Sequence, residues 1–184
     1  MKTKEYTNKL LFVLKKRFPK ESVLNEWSTG KKSRDDFNSK VHYAPRLDIA
    51  VGPFNINRRI EENNRRISGE LRKNNTLIQG IFQTSHAGAK YEFNYYLEKL
   101  NINPRCFIAI EIENTGSEKH SIGGIVNASS MGKIGLVIAL NESKWRLLPK
   151  LLEYFQRLKG FGKLEGDFSN VLVIRADELL SALK

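Results

Sequence analysis

The stretch Pro104–Leu140, PRCFIAIEIENTGSEKHSIGGIVNASSMGKIGLVIAL, decides how this chain is read. An apolar run carrying two carboxylates leads through a short turn into a helix, and the helix leads into a second apolar run. Side chains alternate between faces along a strand, so Ile108, Ile110 and Ile112 go to one side while Glu111 and Glu113 go to the other. Two acids spaced in this way lie about 7 Å apart, close enough to approach one cation or an adjacent pair. Taken alone, such a pair is an ordinary solvated strand face. The neighbours argue otherwise: a nearly continuous apolar run suits a strand covered on both faces, where a carboxylate is costly unless it is paired, hydrogen-bonded or bound to metal.

After the strand, Asn114-Thr115-Gly116 forms a turn and Ser117 caps a helix that runs to about Met131. Ile122, Ile125, Val126 and Ser129 share its packing face, and Gly123-Gly124 lets it sit close to the sheet. His120 and Asn127 fall together on one side of it. The helix begins soon after Glu113, so Lys119 and His120 come near the carboxylates; His120 is then either catalytic or a hydrogen-bonded structural histidine. Lys133 opens the second apolar run, which continues as a strand over Ile134–Leu140.

Upstream, residues 3–17 read as an amphipathic helix with Tyr6, Leu10, Val13, Leu14 and Arg17 near one stripe, ended by Pro19. Val23–Trp27 reads as a strand whose Glu26 either leans toward a site or is an ordinary strand acid. A polar loop, Ser28–Ser39, separates it from a second strand within Tyr43–Phe54, bounded by prolines. There Leu47, Ile49 and Val51 share one face, and Asp48 takes the other together with Arg46. Residues 55–103 read as a mainly helical insertion between the acid-bearing strands. Arg58, Arg59, Arg65 and Arg66 stand on its first helix, which is either a solvated face or a surface that tracks phosphates. Asn74-Asn75 and Ser85–Gly88 read as loop, with His86 as a plain surface histidine. Ala89–Leu100 reads as a second helix with Phe93, Tyr96, Leu97 and Leu100 as its packing stripe. Downstream, Trp145 to Leu158 form the stripe of a long helical segment that Pro149 should kink or divide. Val171–Ile174 is a short strand and Asp177–Leu183 a terminal helix.

Composition sets the class of partner. The 184 residues suit one domain, and 31 Lys plus Arg against 20 Asp plus Glu give a formal charge of +11, as expected of a protein that meets a polyanion such as nucleic acid. Cys106 is the only cysteine, which leaves no internal disulfide and no cysteine-built zinc site. The apolar stretch Leu10–Leu14 is too short for a signal peptide core and is followed at once by Lys15, Lys16 and Arg17. No run approaches the roughly 20 apolar residues that cross a bilayer. A cytoplasmic location, with no membrane partner, is the expectation.

The order helix, strand, strand with Asp48, strand with Glu111 and Glu113, helix, strand resembles the PD-(D/E)xK nuclease superfamily, the restriction-endonuclease-like fold. The matching residues are Pro45-Arg46-Leu47-Asp48, Glu111-Ile112-Glu113, and the continuation from Asn127 to Leu140; the resemblance covers most of the chain outside 55–103. It implies an α/β fold with a central mixed sheet flanked by helices. It further implies metal-dependent, restriction-like hydrolysis of DNA phosphodiester bonds, with Mg2+ or Mn2+ held by Asp48, Glu111 and Glu113. Lys119, Arg46 and His120 would then face the scissile phosphate, Glu26 and Asn127 would be accessory, and Arg58, Arg59, Arg65, Arg66 and Lys133 would meet the DNA backbone. Nucleases of this kind often act as homodimers, although no residue here marks a dimer surface. The chain departs from the family at one place, where Glu113 occupies the usual lysine position. Either Lys119 supplies a displaced charge or Glu113 serves as ligand and proton acceptor. A catalytically inactive nucleic-acid-binding protein of the same fold, and acids that form a purely structural network, are the competing readings.

Overall fold

The computed structural model describes residues 2–28, 45–55, 60–166 and 168–184. Its strands follow the chain in order across one sheet: β1 (Val23–Trp27), β2 (Leu47–Val51), β3 (Cys106–Glu113), β4 (Gly132–Ala139) and β5 (Val171–Arg175). β1, β2 and β3 pair antiparallel, whereas β3, β4 and β5 pair parallel. The helices are α1 (Thr3–Arg17), α2 (Ile60–Lys73), α3 (Asn75–Thr84), α4 (Phe93–Glu98), α5 (Glu118–Met131), α6 (Glu142–Gly160) and α7 (Ala176–Ala182). The protein is thus an α/β protein with a mixed sheet flanked by helices.

Every residue of β3 is buried, as its nearly continuous apolar sequence suits a strand covered on both faces. Alternation divides the sheet between two main cores, beside which Leu47, Ala50, Cys106, Ala109 and Met131 form a smaller third cluster. On one face Ile49, Val51, Ile108, Ile110, Ile134, Leu136, Leu172 and Ile174 pack with Tyr6, Leu10 and Leu14 of α1 and with Leu179 of α7. Each such side chain contributes about 1.5–3 kcal/mol when fully buried. The Tyr6 hydroxyl donates to the Ala176 carbonyl at 3.0 Å, tying the first helix to the last. On the other face Val137, Ala139, Val171 and Val173 meet Ile125 and Ala128 of α5 and Leu148, Leu152 and Phe155 of α6. Asp48, Glu111 and Glu113 project to this second face, beneath and beside α5.

The segment read as an insertion is built into the first core. Ile67 of α2, Ile78, Ile81 and Phe82 of α3, and Tyr96 of α4 all join it. Asn75, read as loop, begins α3, and the helix expected over Ala89–Leu100 is confined to Phe93–Glu98. His86 lies against the sheet edge: its amide donates to the Val173 carbonyl at 2.9 Å, and its Nδ1 accepts from the Val173 amide at 3.0 Å. Pro149 does not divide the long helix, which runs unbroken over Glu142–Gly160. Leu148 and Leu152, on either side of the proline, are both anchored in the second core, and this packing holds the two halves as one element. No described helix is long and apolar enough to cross a membrane.

Candidate active site

The register of β2 against β3 pairs Ala50 with Ala109 and Ile49 with Ile110. One step further along, Asp48 stands opposite Glu111, and directly opposed residues share a sheet face. Here the ladder changes character: the Ile112 amide donates to Asp48 Oδ2 at 2.8 Å. A strand residue's N–H and C=O leave toward the same edge, so the Ile112 carbonyl is directed to the Asp48 side as well.

On the far side of β2 the ladder pairs Asn25 with Ile49 and Trp27 with Leu47 but skips Glu26. Glu26 has φ of 52°, in the left-handed region, a conformation that costs a non-glycine residue about 1–2 kcal/mol. Its carboxylate pairs with the Arg46 guanidinium at 3.0 Å, both side chains being exposed. Glu26, Asp48 and Glu111 therefore occupy successive strands at one level of the sheet.

Glu111 is 7 % exposed and accepts a hydrogen bond from Asn127 Nδ2 at 3.2 Å. Burial, reinforced by the facing Asp48 carboxylate, pushes its pKa up to about 8. Asp48 is also held above the usual carboxylate range, chiefly by burial and further by Glu26 and Glu113; the Ile112 amide and His120 act in the opposite direction.

Glu113 takes a different course. Ser121 Oγ donates to its Oε2 at 2.7 Å, and Lys144 Nζ lies 3.4 Å from the same oxygen. Lys144, which is 4 % exposed, also donates to Ser121 Oγ at 2.6 Å and to the Gly116 carbonyl at 2.7 Å. His120 Nε2 stands 3.8 Å from Glu113 Oε1. The expected three-acid metal cluster is therefore not found: among the described residues no three histidine, cysteine or carboxylate side chains are arranged to hold a metal ion. Glu111 opens to the cleft, but Glu113, two residues nearer the strand end, runs under the N-terminal turn of α5 and meets α6. Asp48 and Glu111 remain as the pair of carboxylates that line an open cleft.

Reasoning from sequence missed Lys144. The signal was present, because Lys144, Leu148 and Leu152 follow one another at four-residue intervals on the stripe that α6 buries. A lysine on such a stripe needs a buried partner.

An open cleft of about 710 Å³ is lined by Arg46, Asp48, Glu111, Lys119, His120 and Asn127, with Ile112 and Ser117. Ser117 Oγ accepts the His120 amide at 3.3 Å and caps α5, so the positive end of that helix faces the cleft. The other basic candidates lie elsewhere. Lys133 donates to the Asn101 carbonyl at 2.9 Å near the start of β4, the end remote from Glu113. Arg65 and Arg66 are on the exposed side of α2, whose first turns are anchored near Pro104 through the Asn63–Asn55 hydrogen bond of 2.6 Å. Arg58 and Arg59 lie outside the described residues.

Gly124 lets α5 pass over the acids. A Cβ there would stand 2.7 Å from Glu113 Oε1 and 3.6 Å from Glu111 Cβ, whereas one at Gly123 would meet nothing within 4 Å. Gly124→Ala is expected to lower the unfolding free energy in urea by about 1–3 kcal/mol. Gly123→Ala is expected to be neutral or to stabilise by up to about 1 kcal/mol through helix propensity. Equal stability of the two variants would show that the α5–β3 approach is not tight.

Comparison with protein-family models, with curated proteins and with solved structures finds no match.

Proposed function

We propose that the protein is a divalent-metal-dependent endonuclease acting on DNA, on a restriction-endonuclease-like core. The observation that carries this reading is the opposition of Asp48 and Glu111 on adjacent strands, open to a cleft whose rim bears Arg46, Lys119, His120 and the start of α5. Support for the core comes from the order α1, β1, β2, β3, α5, β4, with the acids at the carboxyl end of β3, where sheets containing parallel strands commonly bind ligands.

The donor set fits Mg2+ or Mn2+. Hard cations of this kind take oxygen ligands, and Mg2+ commonly sits on one or two carboxylates with water and substrate phosphate completing the shell. Asp48, Glu111 and the Ile112 carbonyl would hold it; Glu111 is buried and its pKa is raised by that burial and by the facing Asp48, a cost that a bound cation would offset. When bound, the ion supplies Lewis-acid polarisation of the phosphate and acidifies a water. Asn127 fixes the Glu111 carboxylate through its 3.2 Å hydrogen bond. Lys119, Arg46 and the capped N-terminus of α5 draw the phosphate into the cleft and oppose its developing charge. His120 Nε2 faces Glu113, which leaves Nδ1 to accept a proton from the attacking water; Glu113, gripped by Ser121 and Lys144, orients the ring. The Lys144 ammonium sits within 3.4 Å of the carboxylate that replaces the family's usual lysine.

The engagement of Glu113 inside the protein favours a second reading, a catalytically silent domain that binds nucleic acid through its basic surface. Supercoiled, linear and single-stranded DNA, and RNA, incubated with Mg2+ or Mn2+ decide between the two. Nicking or cutting of DNA that stops in EDTA is the expected result. Salt-dependent binding without hydrolysis of any substrate would leave the silent reading standing.

A further inference from the structure

A separate cavity of about 470 Å³ opens between α4, the second half of α6 and the segment that enters β5. Its size falls within the roughly 300–1,000 Å³ of small-molecule sites. Ser169 and Val171 line it at the start of β5, whereas Glu113 is level with Ala139 and, through it, with Arg175 at the end of that strand. The two sites therefore lie at opposite ends of the sheet.

The walls are aromatic. Phe155 and Phe168 stack at 4.6 Å, and at the mouth Tyr91 and Tyr95 stack at 5.9 Å. Tyr91 and Tyr95 are 42 % and 50 % exposed, more than packing into a core explains. Tyr96 differs: it is buried, and its hydroxyl donates to the Asn170 carbonyl at 3.2 Å. Lys99 Nζ stands 4.9 Å from the Tyr95 ring.

The described polar lining of the cavity includes the donors His86 and Lys99. None of the described residues lining it is acidic. Because His86 Nδ1 accepts from the Val173 amide, the ring carries its proton on Nε2. Burial pulls the pKa of His86 down to about 4, so at neutral pH it is an uncharged donor. Lys99 supplies a cation. An aliphatic ligand would leave these donors without partners, and a simple anion would make no use of the rings.

We infer that this cavity binds a nucleotide, with the base stacked on the Tyr91–Tyr95 pair and the phosphate drawn to Lys99. Flat heteroaromatic rings and phosphate oxygens are the chemistry that both halves of the site answer. The inference is independent of the nuclease reading, and the ligand is either a free nucleotide or a nucleotide within a single strand.

Isothermal titration calorimetry in EDTA, with adenosine monophosphate as the probe, tests it. Binding to the wild type is expected, with adenosine and ribose 5-phosphate each at least about 10-fold weaker. Tyr95→Ala and Lys99→Ala are each expected to weaken the monophosphate about 10-fold without lowering the melting temperature, since both side chains are at the mouth. Asp48→Asn, in the other cleft, is expected to bind as the wild type does. A single-stranded hexanucleotide that binds more tightly than the monophosphate identifies a strand as the source of the base, and one that binds no better identifies the free nucleotide. No heat at about 5 mM probe, or equal affinity in the Tyr95 and Lys99 variants, overturns the site.

Discussion

Glu111→Gln is expected to abolish metal-dependent DNA cleavage while making the metal-free protein more stable at alkaline pH. The loss of rate follows from removing one of the two carboxylates open to the cleft, and should be at least about 10²–10³-fold, as for other groups that stabilise transition-state charge. The gain in stability follows from the pKa of Glu111, which rises from 4.5 to about 8 on folding. Between those values the folded chain keeps a proton that the unfolded chain has released, so stability falls as pH rises through the window. Above it the full cost is present, on the order of 5 kcal/mol at most. Asp48, also shifted upward, contributes with the same sign. His86 has the opposite sign, since its pKa falls from 6.5 to about 4 on folding, and its contribution is complete once the pH exceeds the higher value. Urea unfolding in EDTA at about pH 7 and about pH 8.5 therefore follows Glu111 clear of His86. The wild type should lose stability between the two, and Glu111→Gln should lose much less. A variant that still cuts DNA removes Glu111 from the mechanism, and a variant with the wild-type pH slope removes the buried charge.

The second large effect belongs to Lys144. Lys144→Met is expected to destabilise the protein by about 3–5 kcal/mol, because it leaves the Glu113 carboxylate buried without its cation. The neighbouring Ser121 hydroxyl, which donates to Glu113 at 2.7 Å, cannot balance a whole charge. Adding Glu113→Gln should restore most of the loss, giving a coupling energy in the double-mutant cycle that a pair of independent sites would not show. Lys119→Met, on the exposed start of α5, should stay within about 0.5 kcal/mol of the wild type. Denaturant melts of these five proteins, Glu113→Gln alone included, make the comparison. A Lys144→Met protein as stable as the wild type would mean that the ion pair is not what holds α6 to the end of β3.

Metal-binding and cleavage assays probe Asp48 and Glu111, whereas these melts probe Glu113, and the division mirrors the structure. Neighbouring acids on one strand face, two residues apart, have been given different tasks by what lies above them. α5 starts over Glu113, whereas Glu111 lines the cleft.

Local pattern was enough for much of this. The nearly continuous apolar run of Phe107–Glu113 suited a strand buried on both faces; the period of two set Glu111 and Glu113 on one side; Ser117 announced the start of α5; and the stripe of Tyr6, Leu10 and Leu14 announced α1. These features depend on residues close together in the chain. Three-dimensional packing settled the rest. Strand pairing set Asp48 opposite Glu111 across 62 intervening positions of the chain, folded the helices of 60–98 into the first core, and carried Lys144 to Glu113. Register and helix docking arise from contacts between segments far apart in the chain, and periodicity shows which face of a segment is buried without showing what that face will meet.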